Sequence, residues 1–557
     1  MPDVLNRFFS RLILAASLTM AGDPGHAEIL STTATARPDN SLIVDIQVTT
    51  THRSAKLLAT YETSGVEPLV SPLIPVSTTG STTITVGRLR ANKIYTYSVR
   101  ALDEHGGPAG TARGSFTTGP LPAALMANTY TLQGRSTAPL IVLPHIQPGF
   151  RGYVALDLHS PDAPQIVWYY ENAASSASGM LQSDPVNSIV QERHGKFLFA
   201  DAGSGPPPLA ADTFYREITP DGTIVAESPL VCSVTTPTVS PSPKGWVWAQ
   251  GNDSLEQLVT GADGVPGTVL HTAKVVKDPF FDTGLAPQGA RLQIGIGIRR
   301  WDRRTGKDEL VWDPFRFLNP LTNRTHMANS DPSANSDTRS PFPCAGKSLT
   351  AEEWMHSNSL QVSPTGALLM SVRMLDTVIA ISPQFDRIVW RIGRFGSDFT
   401  FPDPSDRFYH EHYVRMLDNG NLLLFDNGNG RPVAEGGLYS RALELALDWE
   451  TMTATKVWEY RHQVGTSGGR PVYKYVDAVG TAQRLENGNT IVLFGTDVDP
   501  ATLQLKNPRT LTLVEADASP EAAAVAVLDF QMPGGAPVYR ALPVKTLFGE
   551  VLGTAHQ

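Results

Sequence analysis

Only two cysteines, Cys232 and Cys344, occur among 557 residues, so neither a disulfide framework nor a vicinal cysteine pair organises this chain. In an oxidising compartment the two could pair or remain separately buried thiols, and sequence does not decide between these. Blocks of lysine or arginine are also missing, and the net charge is -9, which argues against nucleic acid and anionic lipid as partners. No apolar run reaches the ~20 residues that a membrane span needs. Helical periodicity is nearly absent. One His-x-His pair, His410 and His412, is half of a metal-ligand set, but no third ligand follows at a convincing spacing, so neither metal nor other cofactor is expected.

What remains is material for a large β-rich core: 41% hydrophobic residues, 18% charged, 47 glycines and 43 prolines. Arg7 and Arg11, the short apolar run Leu12 to Ala21, and Gly25-His26-Ala27 predict a secretory signal peptide over 1–27, and hence a periplasmic or secreted protein without a membrane span. Residues 28–120 are rich in alternating Thr, Ser and Val. In Tyr95, Tyr97 and Val99 one face of a half-buried strand is visible. The pattern resembles a fibronectin type III β-sandwich, with a tyrosine corner at Tyr95, and is assigned no chemistry.

Over 121–557 the chain repeats itself. A strand, a polar turn and a second strand recur at Tyr153–Trp168, Tyr215–Val225, Arg300–Trp312, Ile379–Trp390, Leu445–Trp458 and Leu513–Leu528. A glycine followed by an apolar strand alternates with it, at Gly195, Gly245, Gly289, Gly366, Gly420 and Gly488. Two interleaved motifs, six copies each at roughly 60 to 85 residues, predict a six-bladed β-propeller with long loops at 313–346 and 462–480. The tryptophans near blade ends are expected in the core.

The chemistry gathers in one stretch. His410 and His412, read as one extended strand, lie on the same face, and Asp426-Asn427-Gly428 closes the hairpin. Upstream, His356-Ser357-Asn358 and Ser371-Val372-Arg373 form a similar arrangement. Three histidines, an amide and an arginine at strand positions of neighbouring repeats would converge on one anionic group, a sulfuryl or phosphoryl unit. Arg415 and Arg441 are read as structural links between blades.

Trp354-Met355-His356-Ser357-Asn358, Ser371-Val372-Arg373, Ile388-Val389-Trp390, His412-Tyr413-Val414-Arg415, Asn419-Gly420-Asn421, Phe425-Asp426-Asn427-Gly428 and Tyr439-Ser440-Arg441 together resemble the bacterial arylsulfotransferases. The resemblance implies an exported six-bladed propeller that needs no nucleotide sulfate donor. It implies transfer of a sulfuryl group from a phenolic sulfate ester to an acceptor phenol through a sulfated histidine. By motif, His412 matches that histidine, His356 and Asn358 the sulfuryl-binding pair, and Arg373 the arginine beside them. Thr481 is the counterpart of a late site threonine, and His410 a further substrate ligand. Two departures stand out. Glu411 occupies a position where glutamine is commoner, and Thr235-Thr236 stands where the family places a histidine run, so Thr236 is expected to line the pocket in its stead. That loss leaves open a second reading, a propeller of reduced activity serving as an exported ligand-binding or scaffolding protein. A quinone-cofactor dehydrogenase is a weaker third, lacking its cysteine pair and calcium ligands. A homodimer is an open alternative to the monomer.

Overall fold

The strand Leu422–Asp426 is buried along its whole length. Leu422 and Leu424 enter one core with Val378, Ala380 and Trp390, while Leu423 and Phe425 enter another with Val492, Phe494 and Val514. A strand with two dry faces has no reason to alternate polar with apolar residues, which is why it reads as a continuous apolar run. The rule extends through the larger part of the chain. The structure, a computed structural model, describes residues 29–51, 56–103, 105–159, 164–171, 189–191, 195–202, 213–228, 247–249, 255–256, 268–277, 293–320, 339–344, 347–499, 501–545 and 547. Over these residues the protein is all-β and divides into two compact units.

The larger unit, from Gly119 onward with two short earlier pieces, is a series of antiparallel sheets. The first joins Leu140–Gln147, Phe150–Asp157 and Gln165–Glu171, and is completed from the far end of the chain by Leu542–Val544. Later sheets are meanders such as Leu360–Val362, Leu368–Val372, Thr377–Ile381, Ile388–Gly393, followed by His412–Met416, Leu422–Asp426, Arg441–Asp448, Thr453–Tyr460. The last, Thr481–Arg484, Thr490–Phe494, Leu511–Ala516, Ala524–Gln531, receives Thr129–Gly134 at its outer edge. Apolar clusters join each sheet to the next: Trp168 with Phe197, Leu198 with Val269 and Trp301, Trp312 with Met370 and Ile379. Trp168, Trp312, Trp390 and Trp458 are all buried, as expected of rings between packed sheets. Between the last sheet and the first, the Tyr130 ring stacks near Phe530 and lies beside His145.

The recurring glycines mark turns. Gly195, Gly366, Gly420 and Gly488 take φ of +79°, +84°, +83° and +89°, a region that glycine occupies without steric cost. Gly245 and Gly289 lie outside the described residues. Parts of the expected long loops are ordered as hairpins: Arg339–Cys344 with Lys347–Glu353, and the exposed Gln463–Ser467 with Arg470–Tyr473.

The smaller unit holds Val44–Val86, Asn92–Thr118 and the chain up to Pro38. One of its sheets runs Ile29–Ala36, Val44–Thr50, Ser81–Val86. The other runs Leu69–Val70, Lys56–Glu62, Ile94–Leu102, Pro108–Thr117. Tyr95, Tyr97, Val99 and Ala101 are buried while their neighbours are not, the alternation that the sequence predicts. The predicted export signal, Cys232 with any pairing to Cys344, and Thr235-Thr236 all lie outside what is described. No helix among the described residues is long and apolar enough to cross a membrane.

Candidate active site

His412 opens its strand and is 3% exposed. The expected extended run through His410 and His412 is not formed. His410 has φ +55° and Tyr413 φ +51°, so the backbone kinks on both sides of His412, and the register slips between His412 and Arg415. A left-handed residue or a bulge breaks the two-residue period on which a shared face depends. His410 turns to Asp376 instead. Its backbone N–H donates to Asp376 Oδ1 at 2.8 Å, and its Nδ1 lies 3.0 Å from the same oxygen. His410 thus anchors the approach to the site rather than standing beside His412 as a second ring.

Three contacts fix the His412 imidazole. The Val479 backbone N–H can only donate, and it donates to Nε2 at 3.2 Å. Nε2 therefore carries the lone pair and Nδ1 the proton, which is donated to Asn427 Oδ1 at 2.6 Å and to the His410 carbonyl at 3.3 Å. Burial, and next the charge of Arg373, pull the ring well below its ordinary proton affinity, with His356 adding to the effect. The result is a neutral, oriented imidazole whose Nε2 is basic but unprotonated.

Asn427 does more than hold the ring. Its Nδ2 donates to the carbonyls of Val476 and Val479, at 3.0 and 2.9 Å. Asn429 Nδ2 and Arg373 Nη2 both hold the Asp477 carbonyl, at 2.8 and 2.9 Å. The stretch Val476–Gly480 is thereby pinned under His412, although Val479, a β-branched residue, takes φ +59°. Strain of this kind survives only where surrounding bonds overdetermine it. Below, Asp426 accepts from Arg431, from Arg441 Nε at 2.8 Å and from the Tyr409 N–H at 2.9 Å, all in full burial. Arg441 is structural, as the sequence suggests.

His356, Asn358 and Arg373 come from connections, not strands. His356 and Asn358 precede the strand Leu360–Val362, and Arg373 begins a 3-10 turn just past Leu368–Val372. They gather because they share one end of the sheets, with the Arg373 N–H bonded to the His356 carbonyl at 2.7 Å. Asn358 spends one Nδ2 hydrogen on the Glu411 carbonyl at 2.6 Å, and its Oδ1 has no partner among the described residues. Thr481 is fully buried at the start of the next sheet, its hydroxyl accepting from the Ala541 N–H at 3.4 Å. Two residues that sequence reasoning passed over belong here. Asn427 was visible only as part of a turn signal. Tyr539 meets the His412 ring edge-on at 6.0 Å and carried no signal at all.

Glu411 is fully buried, with Oε1 accepting from Ser371 Oγ at 2.9 Å and Oε2 without a partner among the described residues. Burial first, and then the negative charge of Asp376, push its carboxyl well above the ordinary range. A neutral glutamic acid is close in shape and charge to glutamine, so the departure at this position is chemically small. In the unfolded chain this proton leaves at about pH 4.3, whereas the folded chain keeps it to higher pH. The associated stability is thus fully present below about pH 4.3 and lost as pH rises through the folded value. Glu411→Gln, which does not titrate, is expected to gain stability over the wild type from about pH 4.5 upward, by as much as ~1.4 kcal/mol per pH unit. Chemical denaturation at several pH values measures this, and a difference that does not change with pH would contradict it.

Residues 297–539 match the family model described as Arylsulfotransferase (ASST), a segment that contains His356, Asn358, Arg373, His412, Asn427, Thr481 and Tyr539. Over this segment the chain is similar to the arylsulfotransferase family. It is also 32% identical, over 85 residues, to the arylsulfate sulfotransferase AssT of Escherichia coli O6:H1 strain CFT073; this match covers 14% of the chain and 13% of that protein. Among solved structures it is similar to a protein of unknown function from Bacteroides caccae, at 13% identity and TM-score 0.35, over 73% of this chain and all of the other. It is similar too to a catalytically inactive virginiamycin B lyase from Staphylococcus aureus solved with quinupristin, at 9% identity and TM-score 0.28, over 72% of this chain and 99% of the other.

Proposed function

We propose that this protein is an arylsulfotransferase, which moves a sulfuryl group from an aryl sulfate to an acceptor phenol in two displacements at His412. The observation that carries the reading is a buried neutral imidazole, its tautomer set by Val479 and Asn427, beside the guanidinium of Arg373. Nε2 attacks sulfur, the N–S bond forms as the S–O bond to the phenolate breaks, and protonated His356 gives its proton to the leaving oxygen. Charge on the equatorial oxygens is met by Arg373 and by the second Asn358 hydrogen. The Val479 amide, released from Nε2 when the donor arrives, becomes one more donor to that group. Asn427 accepts from Nδ1–H throughout and so supports the positive charge of the sulfated ring. In the second half the acceptor phenol gives its proton to His356, its oxygen bonds to sulfur as the N–S bond breaks, and Nε2 regains its lone pair.

The same reading places the site at one mouth of a six-bladed propeller. Its support is the succession of sheets packed face to face, each chain end completing a sheet begun by the other. The strand orders of the smaller unit support a fibronectin III-like sandwich over 28–120. We assign 1–27 to export, and Thr236 to the wall of the pocket where a histidine stands in the family. Release of a coloured phenol from 4-nitrophenyl sulfate, dependent on an added phenol, tests the activity. Without it the protein is a ligand-binding propeller instead. Because the folded His412 stays neutral well below its ordinary value of about 6.5, kcat/KM should have no acid limb near pH 6.5. An acid limb at that pH would show that the nucleophile is not this buried ring.

A further inference from the structure

Transfer through His412 leaves one buried cation beside it unused. Arg540, just past the family-matched segment, is 2% exposed, and its Nη2 donates to the Asn358 carbonyl at 2.6 Å. Its Nε and Nη1 have no acceptor among the described residues. Among the described residues no carboxylate pairs with it. Its other neighbours are rings, with the guanidinium carbon 4.9 Å from the centre of Tyr413 and 5.6 Å from that of Tyr539. Arg415 approaches the same Tyr413 ring, at 4.0 Å, so one ring carries two guanidinium groups. Burial, and then the charge of Arg540, pull Arg415 down from the ordinary guanidinium range.

Buried guanidinium N–H groups without acceptors are costly, and a second cation nearby adds repulsion. The structural arginines here are unlike this, since Arg431 and Arg441 share Asp426. The site also has a direct line to the reacting group. Tyr539, under Arg540, meets the His412 ring at 6.0 Å, and Asn358, whose carbonyl Arg540 holds, donates to the carbonyl of Glu411 next to His412.

We propose that Arg540 and Arg415 form a second anion subsite, which takes a carboxylate fixed on the aromatic ring of the phenol while its oxygen lies at His412. The planar open donors of a guanidinium suit a planar carboxylate, and Tyr413 and Tyr539 supply faces for the ring between the two ends. An incoming carboxylate would satisfy the open N–H groups and screen the two cations from each other. The identification of the aromatic ligand rests on the sulfuryl-transfer reading; the anion preference does not.

Calorimetric titration of the full-length protein with 4-hydroxybenzoate and with 4-cresol tests it, because the two differ in a carboxylate against a methyl group. The wild type is expected to bind 4-hydroxybenzoate at least ~10-fold more tightly, as a charge-assisted pair would give. Arg540→Gln should bring the ratio to within about twofold, and Arg415→Gln should lower it by a smaller factor. A wild-type ratio near one overturns the subsite without recourse to any variant, and so does an undiminished ratio in a folded Arg540→Gln protein. Should Arg540→Gln not fold, an undiminished ratio in Arg415→Gln overturns it. His412→Ala separates the two readings. It should keep the carboxylate preference while losing transfer, so failure of the transfer mechanism leaves the binding ratio to stand or fall by itself.

Discussion

His412→Ala is expected to lower sulfuryl transfer by at least ~10⁴, to the level set by binding and positioning alone. Removing the ring deletes the sole oriented lone pair proposed to attack. His356 and Arg373 bind charge or move a proton and have no role as the entering nucleophile. The substitution also leaves Asn427 Oδ1 and the Val479 N–H without their shared partner, at a cost of about 1–3 kcal/mol. Thermal unfolding should therefore accompany the assay, so that lost turnover is read from folded protein. Arg373→Ala is the contrast. It keeps the nucleophile and removes stabilisation of developing charge, so the sulfated protein should still form, roughly 10² to 10³ more slowly. Turnover within a few-fold of wild type in folded His412→Ala would remove the basis of the mechanism.

Asn427→Leu is expected to reduce kcat by about 10² to 10⁴, although Asn427 touches no substrate. Its amide sets the His412 tautomer through one end and pins the Val476 and Val479 carbonyls through the other. Asn427→Asp divides these duties. A carboxylate still accepts from Nδ1–H but cannot donate to either carbonyl, and its charge raises the proton affinity of the ring. The acid limb of that variant's pH profile should move to higher pH than in the wild type, which a purely structural role would not produce. An unshifted profile with normal kcat would assign Asn427 to the turn alone.

The repeat of sheets was legible because each inner strand is buried on both faces, so runs such as Leu422–Phe425 stand out, and the turns between strands require glycine at positive φ. His356, Asn358, Arg373 and His412 were legible by resemblance, yet the strand alternation proposed to unite them was not what does so. The left-handed backbone at Tyr413 has no sequence mark, and the enrichment of histidine in that region is too weak a signal to place the one at His410, yet together they redirect both side chains. Asn427 was hidden by its own suitability for turns. Tyr539 and Arg540 reach the site from beyond the last full sheet, at a sequence distance where no period operates.

The central claim is a covalent intermediate on His412. Intact mass of the wild-type protein after incubation with 4-nitrophenyl sulfate alone, followed by peptide mapping, tests it most directly. The account predicts a gain of one sulfuryl group, located on the peptide that carries His412 and discharged when a phenol is added. A protein that turns over donor and acceptor with no such gain, or with the group on another residue, would contradict it.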